Sequence, residues 1–169
     1  NSAIWDPHMD PLDDPKDTRG FLDLLDWSAS HVFQRANRIG LVPLLENPRR
    51  LLAGLFEIDE TPDLRYARLA SPIISRLLTA LNQMDRPSLT EETGRLLGYG
   101  IGGTPSGDDL LVGLLAALTR SSHPTADRLL HLLVDTLISQ LDQDVTSLLS
   151  LTVLNHAVKG AFSEKIHTI

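Results

Sequence analysis

The chain has 169 residues, a formal net charge of −7 and a pI near 5.2, and this acidic balance argues against a nucleic-acid or anionic-membrane surface. A chain of this length can bury the core of one domain. It contains no cysteine, which excludes disulfides, thiolate metal sites and thiol nucleophiles. The longest apolar run, 110–118, is too short to span a bilayer, so we expect a cytoplasmic protein.

The composition divides the chain into an acidic start and a helical remainder. Residues 1–20 are rich in Asp and Pro, which predicts an extended or loosely ordered lead-in. Leucine far outnumbers Val and Ile together, and this favours helix over sheet. We therefore predict an all-α fold in which residues 21–169 form a single helical domain. Because the chain lacks an initiator Met and stops soon after a helix, we expect it to be part of a longer architecture.

Apolar spacing and capping signals place the helices. Thr61-Pro62 is a good helix start, and Pro72 should kink or divide the helix that follows. The segment Ser88-Leu89-Thr90-Glu91 has the pattern of a capping box. The predicted helices cover 21–38, one or two short pieces within 42–55, then 61–84, 88–97, 108–120, 124–141 and 144–162.

A glycine-rich loop, residues 98–109, leads into the apolar segment 110–118, which we predict to be a buried central helix. Six of the eleven glycines fall between Gly94 and Gly107. Glycines permit positive φ and close approach of a ligand, and the N–H groups and dipole of the next helix favour an anion. The predicted ligand-binding residues are Gly100, Gly102, Gly103 and Gly107 through the backbone and Thr104 and Ser106 through their hydroxyls.

Two adjacent carboxylates, Asp108 and Asp109, end the loop and are the predicted catalytic residues. They point about 100° apart on a helix, so one can accept a proton or hold a cation such as Mg²⁺ while the other caps the helix. Ser106 and Asp109 form a capping-box candidate. The alternative is purely structural, because glycine turns before helices are common and Asp in a first turn stabilises the dipole. No Lys follows the last glycine, so this is not a Walker A loop, and no strand precedes it as in a dinucleotide-binding fold.

Two blocks of sequence resemble a known family. The run Gly98-Tyr-Gly-Ile-Gly-Gly-Thr-Pro-Ser-Gly-Asp-Asp-Leu-Leu-Val-Gly is similar to the GxGPGLTPSGDDxLxG signature of the AllH-like family, although Ile101 and Gly103 replace the usual Pro and Leu. The run from Thr146 to Glu164 is similar to a later helix of that family. The resemblance implies a subunit of oxamate carbamoyltransferase, hence carbamoyl transfer involving an oxamate-like acceptor, alongside other subunits. The β-rich region and the later Gly-His-Thr-Ser-Gly segment that are usual in the family are not visible here.

The helix predicted over 144–162 offers a polar stripe at helical spacing, formed by Thr152, Asn155, His156 and Lys159. If the stripe faces the glycine loop, Lys159 can neutralise a phosphate; otherwise it is the solvated face. Thr146 and Ser150 match the family block and are further candidate ligand residues, with hydroxyl bonds to helix carbonyls as the alternative. No spacing of His predicts a metal site.

These observations give a leading hypothesis and two alternatives. The leading one is an AllH-like subunit or domain that binds a small anionic metabolite, of phosphate or carboxylate type, at the 98–109 loop. The first alternative is a non-catalytic scaffolding or partner-binding module, which would self-associate or need a partner. The second is a metal-dependent enzyme of another class that uses Asp108 and Asp109. Whether the chain is catalytic without other subunits stays open.

Overall fold

The structure, a computed structural model, describes residues 18–35, 39–54, 64–142 and 144–163. Every regular element in these ranges is a helix, which confirms the predicted all-α class. The acidic lead-in predicted for residues 1–20 lies almost wholly outside the described residues. Within the described ranges, no helix combines the length and the apolarity that a bilayer span requires.

The described residues fall into two compact units, which meet in the sequence between Leu96 and Leu97. The single helical domain that the sequence predicts over 21–169 stays a prediction. The first unit contains α1 (Thr18–Arg35), a 3-10 helix (Val42–Glu46), α2 (Pro48–Leu52), α3 (Arg65–Gln83) and α4 (Arg86–Leu96). The second contains α5 (Ser106–Arg120), α6 (Ala126–Ile138) and α7 (Leu148–Ala157).

In the first unit, α3 packs against α4. Its buried face follows helical spacing through Ala67, Ala70, Ile74, Leu77 and Leu81. The helix continues through Pro72, so of the kink or division predicted there the division does not occur. Pro72 lies on the exposed face, and apolar burial on both sides of it outweighs the roughly 3 kcal/mol that an interior proline costs.

The start of α4 differs from the predicted capping box. The helix begins at Arg86, and Asp85 supplies the cap: its Oδ1 accepts the Ser88 N–H at 3.4 Å and its Oδ2 accepts the Ser88 hydroxyl at 2.6 Å. Farther along, Glu92 is 4% exposed and accepts two hydrogen bonds from the Arg76 guanidinium, at 2.6 and 3.2 Å. This pair connects α4 to α3 through a charge-assisted fork.

In the second unit, α5 packs against both α6 and α7, as predicted for a buried central helix. Its apolar positions recur at i and i+4, which gives one continuous buried face. The fully buried leucines of this core are Leu111, Leu115, Leu133, Leu137 and Leu154.

The last helix, α7, is shorter and more exposed than the sequence suggested. It spans Leu148–Ala157 rather than 144–162, and only Ser150, Leu154 and Ala157 are buried. Leu148 is 80% exposed and Leu149 is 58% exposed. Most of its side chains are exposed, because an apolar sequence does not by itself say which side of a helix will be covered.

Candidate functional site

The glycine-rich loop joins α4 to α5 as a series of turns and bends over 97–105. Gly98, Gly100 and Gly102 adopt φ values of 70°, 118° and 101°, in the region that favours glycine. A Cβ on Gly98 would lie 2.6 Å from the Val145 carbonyl oxygen. A Cβ on Gly100 would lie 2.9 Å from the Ser106 nitrogen. The positive φ expected of the loop glycines is thus confirmed at these three positions, whereas their binding of a ligand through the backbone stays a prediction.

Asp108 holds the loop in place from inside the unit. Its side chain is 1% exposed, and its Oδ1 accepts the Gly98 N–H at 2.8 Å. Its Oδ2 accepts a hydrogen bond from the Thr146 hydroxyl. Both oxygens are thus engaged by the protein, which suits a positioning role for Asp108. Its predicted catalytic role stays a prediction.

A second attachment joins the loop to α7 through Ser147. The Ser147 hydroxyl donates to the Gly103 carbonyl and accepts the Ser150 N–H at 3.1 Å, so it caps α7 at the same time. Ser147 was not among the predicted site residues. A serine immediately before an apolar helical run is a capping signal that would have identified it. Ser150, a predicted ligand residue, is 2% exposed.

The backbone N–H groups of the loop divide into two sets. Gly107 donates to the Tyr99 carbonyl at 2.8 Å, while Asp108 and Asp109 donate to the Pro105 carbonyl at 3.0 and 3.1 Å. The Gly107 amide, a predicted ligand donor, therefore already donates to a carbonyl of the protein itself. Within the described ranges, no protein acceptor bonds the N–H groups of Gly100, Gly102, Gly103, Thr104 or Ser106.

The start of α5 is capped differently from the pattern predicted from the sequence. Pro105 occupies the N-cap position and no side chain caps the helix, so the predicted capping box of Ser106 and Asp109 does not form. Thr104 instead hydrogen-bonds the Asp109 carboxyl. Partial burial raises the pKa of Asp109 above its ordinary value, the neighbouring Asp108 carboxylate raises it further, and the Thr104 hydrogen bond opposes the increase.

The structure does not bring the polar stripe of α7 to the loop. Asn155 is exposed and donates back to the Leu151 carbonyl at 2.9 Å. Lys159 follows the far end of α7, whereas the loop contacts its N-terminal end through Ser147. A helix of 10 residues is about 15 Å long, so the expected neutralisation of a ligand by Lys159 has no support in the geometry.

The loop and the part of α7 beside it carry acidic groups without basic ones. Neither 97–119 nor 144–158 contains a Lys or Arg, while Asp109 and Asp144 are exposed. In the part of the chain that the structure describes, no group of three or more acidic or imidazole side chains is arranged to hold a metal ion. The Mg²⁺ ligand role that the sequence left open is still only a prediction.

Comparison with known proteins agrees with the motif-based resemblance. Residues 96–169 match the family model described as oxamate carbamoyltransferase subunit AllH, and this confirms the resemblance over that part of the chain. The match contains the whole loop, α5 and the Thr146–Ser147 segment. No curated protein and no solved structure matches the chain.

Proposed function

We propose that this chain is an AllH-like component of an oxamate carbamoyltransferase-type enzyme, and that its 98–109 loop binds a small anionic ligand of phosphate or carboxylate type. The family match supports the first part, because it covers the loop and the segment that supports it. The second part rests on the chemistry of the loop. A carbamoyl phosphate and an oxamate-like acceptor both present the anionic oxygens that such a loop suits.

The observation that carries the proposal is the buried Asp108 carboxylate, which binds Gly98 and Thr146 together. This contact unites the two blocks that resemble the family, and it fixes the loop above the start of α5. A preorganised backbone is what an anion cradle needs, since donors held in place lose little entropy on binding. The buried carboxylate therefore acts on the shape of the site and not on the ligand.

The ligand would be bound by backbone N–H groups. Those of Gly102, Gly103 and Thr104 lie on exposed residues and have no protein acceptor within the described part of the chain. The dipole of α5 adds a partial positive charge at the same end of the helix. When Asp109 carries its proton, its carboxyl can donate to Thr104, and the Thr104 hydroxyl is then free to donate to the ligand beside them.

Asp109 is the group we propose for proton exchange with the bound ligand. It is partly exposed, lies in the first turn of α5 and has a pKa raised by partial burial and by Asp108. A carboxyl whose pKa is raised is better matched to general acid–base work near neutral pH than an ordinary one. Asp109 is thus the proposed catalytic residue, and Asp108 is the proposed positioning residue.

Isothermal titration of the chain with carbamoyl phosphate, oxamate and inorganic phosphate tests the binding claim. Saturable binding of at least one of them is expected. Thr104→Val should weaken that binding about fivefold to tenfold, the usual effect of losing one hydrogen bond. Thr152→Val is the matched control, because Thr152 is exposed and donates only to the Leu148 carbonyl.

Turnover by the assembled enzyme tests the catalytic claim separately. Asp109→Asn should retain ligand binding and lower kcat by roughly 10²- to 10⁴-fold, as expected for loss of a general acid–base group. Asp127→Asn replaces an exposed first-turn aspartate of α6 and should change neither quantity. Absence of anion binding by the wild type, or equal effects of Thr104→Val and Thr152→Val, would contradict the site.

A further inference from the structure

We propose that an exposed apolar surface beside the loop, here called the loop face, docks a second polypeptide that carries a Lys or Arg side chain to the anion site. The loop face consists of Ile101, Leu148, Leu149 and Val153. The inference rests on the proposed function, because it names the kind of partner that completes the same site.

The loop face is apolar and open. Ile101 is 61% exposed, Leu148 is 80% exposed and Leu149 is 58% exposed, while Val153 extends the surface one helical turn along α7 at 37% exposure. Such a cluster costs free energy in water at about 25 cal/mol for each Å² of apolar surface. Clusters of this kind mark interaction sites more often than isolated exposed leucines do.

The loop face is continuous with the anion site. The Leu149 Cδ2 atom lies 3.8 Å from where a Cβ of Gly103 would be, so the side chain extends along the loop backbone. The Ser147 hydroxyl bond to the Gly103 carbonyl fixes the start of α7 to the loop. A polypeptide seated on Leu149 therefore lies beside Gly103, whose N–H has no protein acceptor within the described part of the chain.

The charged groups near the loop face indicate what kind of polypeptide docks there. The loop and the adjoining part of α7 have no Lys or Arg, while Asp109, in the first turn after the loop, and Asp144, four residues before Leu148, are exposed. A second copy of this chain would add the same acidic groups, and like charges at an interface are unfavourable. A basic segment is complementary, and its cation supplies the positive side chain that a ligand of phosphate type lacks here.

The test measures assembly of the chain with the remaining subunits of an oxamate carbamoyltransferase. The dissociation constant of the complex is compared for the wild type, Leu148→Glu and Leu149→Glu. Each substitution should weaken the complex about tenfold or more, since it removes apolar contact and adds negative charge. Glutamate in the first turn of α7 suits the helix dipole, so the variants should keep their fold.

Leu69→Glu is the matched control. Leu69 is a half-exposed leucine of α3, in the other unit, and its replacement should leave the dissociation constant unchanged. Two lysine variants test the charge complementarity. Asp144→Lys should weaken the complex about tenfold, whereas Asp127→Lys on α6 should not. Equal effects of Leu148→Glu and Leu69→Glu would overturn the proposal, as would equal effects of the two lysine variants.

Two further results would also overturn it. One is that the wild-type chain forms no complex with those subunits. The other is a homodimer in light scattering that Leu148→Glu dissociates, because the occupant would then be a second copy. Neither result affects the anion site itself, since phosphate binding by the isolated chain is measured independently. Conversely, a complex that Leu148→Glu weakens would support the docking surface even if the isolated chain bound no anion.

Discussion

The Thr146 hydroxyl donates to the Asp108 carboxylate across 38 positions of sequence, and the same carboxylate accepts the Gly98 N–H. This buried side chain, together with the Ser147 bond to Gly103, therefore fixes the glycine loop relative to the start of α7. Because Asp108 is 1% exposed, its carboxylate depends on these two donors and not on water. The arrangement makes the loop a preorganised part of the second unit.

Removal of the Asp108 carboxylate should destabilise the protein strongly. Asp108→Ala leaves the Gly98 N–H and the Thr146 hydroxyl without an acceptor, which should lower the free energy of unfolding by roughly 2–5 kcal/mol. Urea denaturation measures the loss. Thr146→Val removes one donor, and the double variant should show a coupling energy of roughly 0.5–3 kcal/mol. Additive effects of the two substitutions would contradict the contact.

Substitution of Gly98 should be far more damaging than substitution of Gly103 in the same loop. Gly98→Ala combines a φ of 70° with an approach of 2.6 Å to the Val145 carbonyl oxygen, whereas Gly103 has no positive φ and an added Cβ would make only ordinary contact. We expect Gly98→Ala to cost more than the roughly 1–2 kcal/mol of left-handed strain alone. Gly113→Ala, in open space within α5, should stabilise by about 1 kcal/mol. Thermal unfolding of the three variants ranks their stabilities. A loss of stability in Gly103→Ala equal to that in Gly98→Ala would be inconsistent with this geometry.

The pKa of the Asp109 carboxyl should lie above the model-peptide value of aspartate. Partial burial and Asp108 raise its pKa, and the Thr104 hydrogen bond lowers it, so Thr104→Val should raise the pKa further. The carboxyl signal of Asp109 in an NMR titration measures both values. A pKa at or below the model-peptide value of about 3.9 in the wild type would contradict this environment.

The same shift predicts the sign of a pH effect on stability. A carboxyl whose folded-state pKa is raised binds its proton more tightly in the folded protein, so its contribution is favourable below the unfolded-state pKa and is lost as the pH rises through the folded-state pKa. Asp109→Asn should therefore raise the free energy of unfolding relative to the wild type at pH 7. That difference should shrink as the pH falls towards the ordinary aspartate pKa. Parallel urea curves at several pH values measure it, and a difference that grows on acidification would have the wrong sign.

In the first unit, loss of Arg76 should matter more than loss of Arg95. Arg76 binds the buried Glu92 at 2.6 Å, and this hydrogen bond raises the pKa of the guanidinium above its ordinary value. Arg95 reaches Glu92 only at 3.6 Å and otherwise pairs with the exposed Glu91. Arg76→Met should cost roughly 1.5–3 kcal/mol, the range for a hydrogen bond to a charged group. Arg95→Met should cost less than about 1 kcal/mol, as exposed pairs do. Denaturant unfolding of both variants tests the order.

Part of this structure was predictable from sequence, because it follows from local spacing. The all-α class, the glycine loop and the central position of α5 follow from composition and apolar periodicity. The roles of Asp108 and Asp109 were not separable, since helical spacing says only that they point differently. A tertiary contact with Thr146 decides which of them is buried. The exposure of Leu148 likewise depends on what covers α7, which no local pattern contains.

The most direct test of the central claim is a ¹⁵N NMR titration of the chain with inorganic phosphate. We expect saturable shifts of the amide signals of Gly102, Gly103 and Thr104, with the Gly107 amide, which donates to Tyr99, much less affected. The same titration of Thr104→Val should show weaker saturation. Unchanged loop amides at saturating phosphate, carbamoyl phosphate and oxamate would contradict an anion site in this loop.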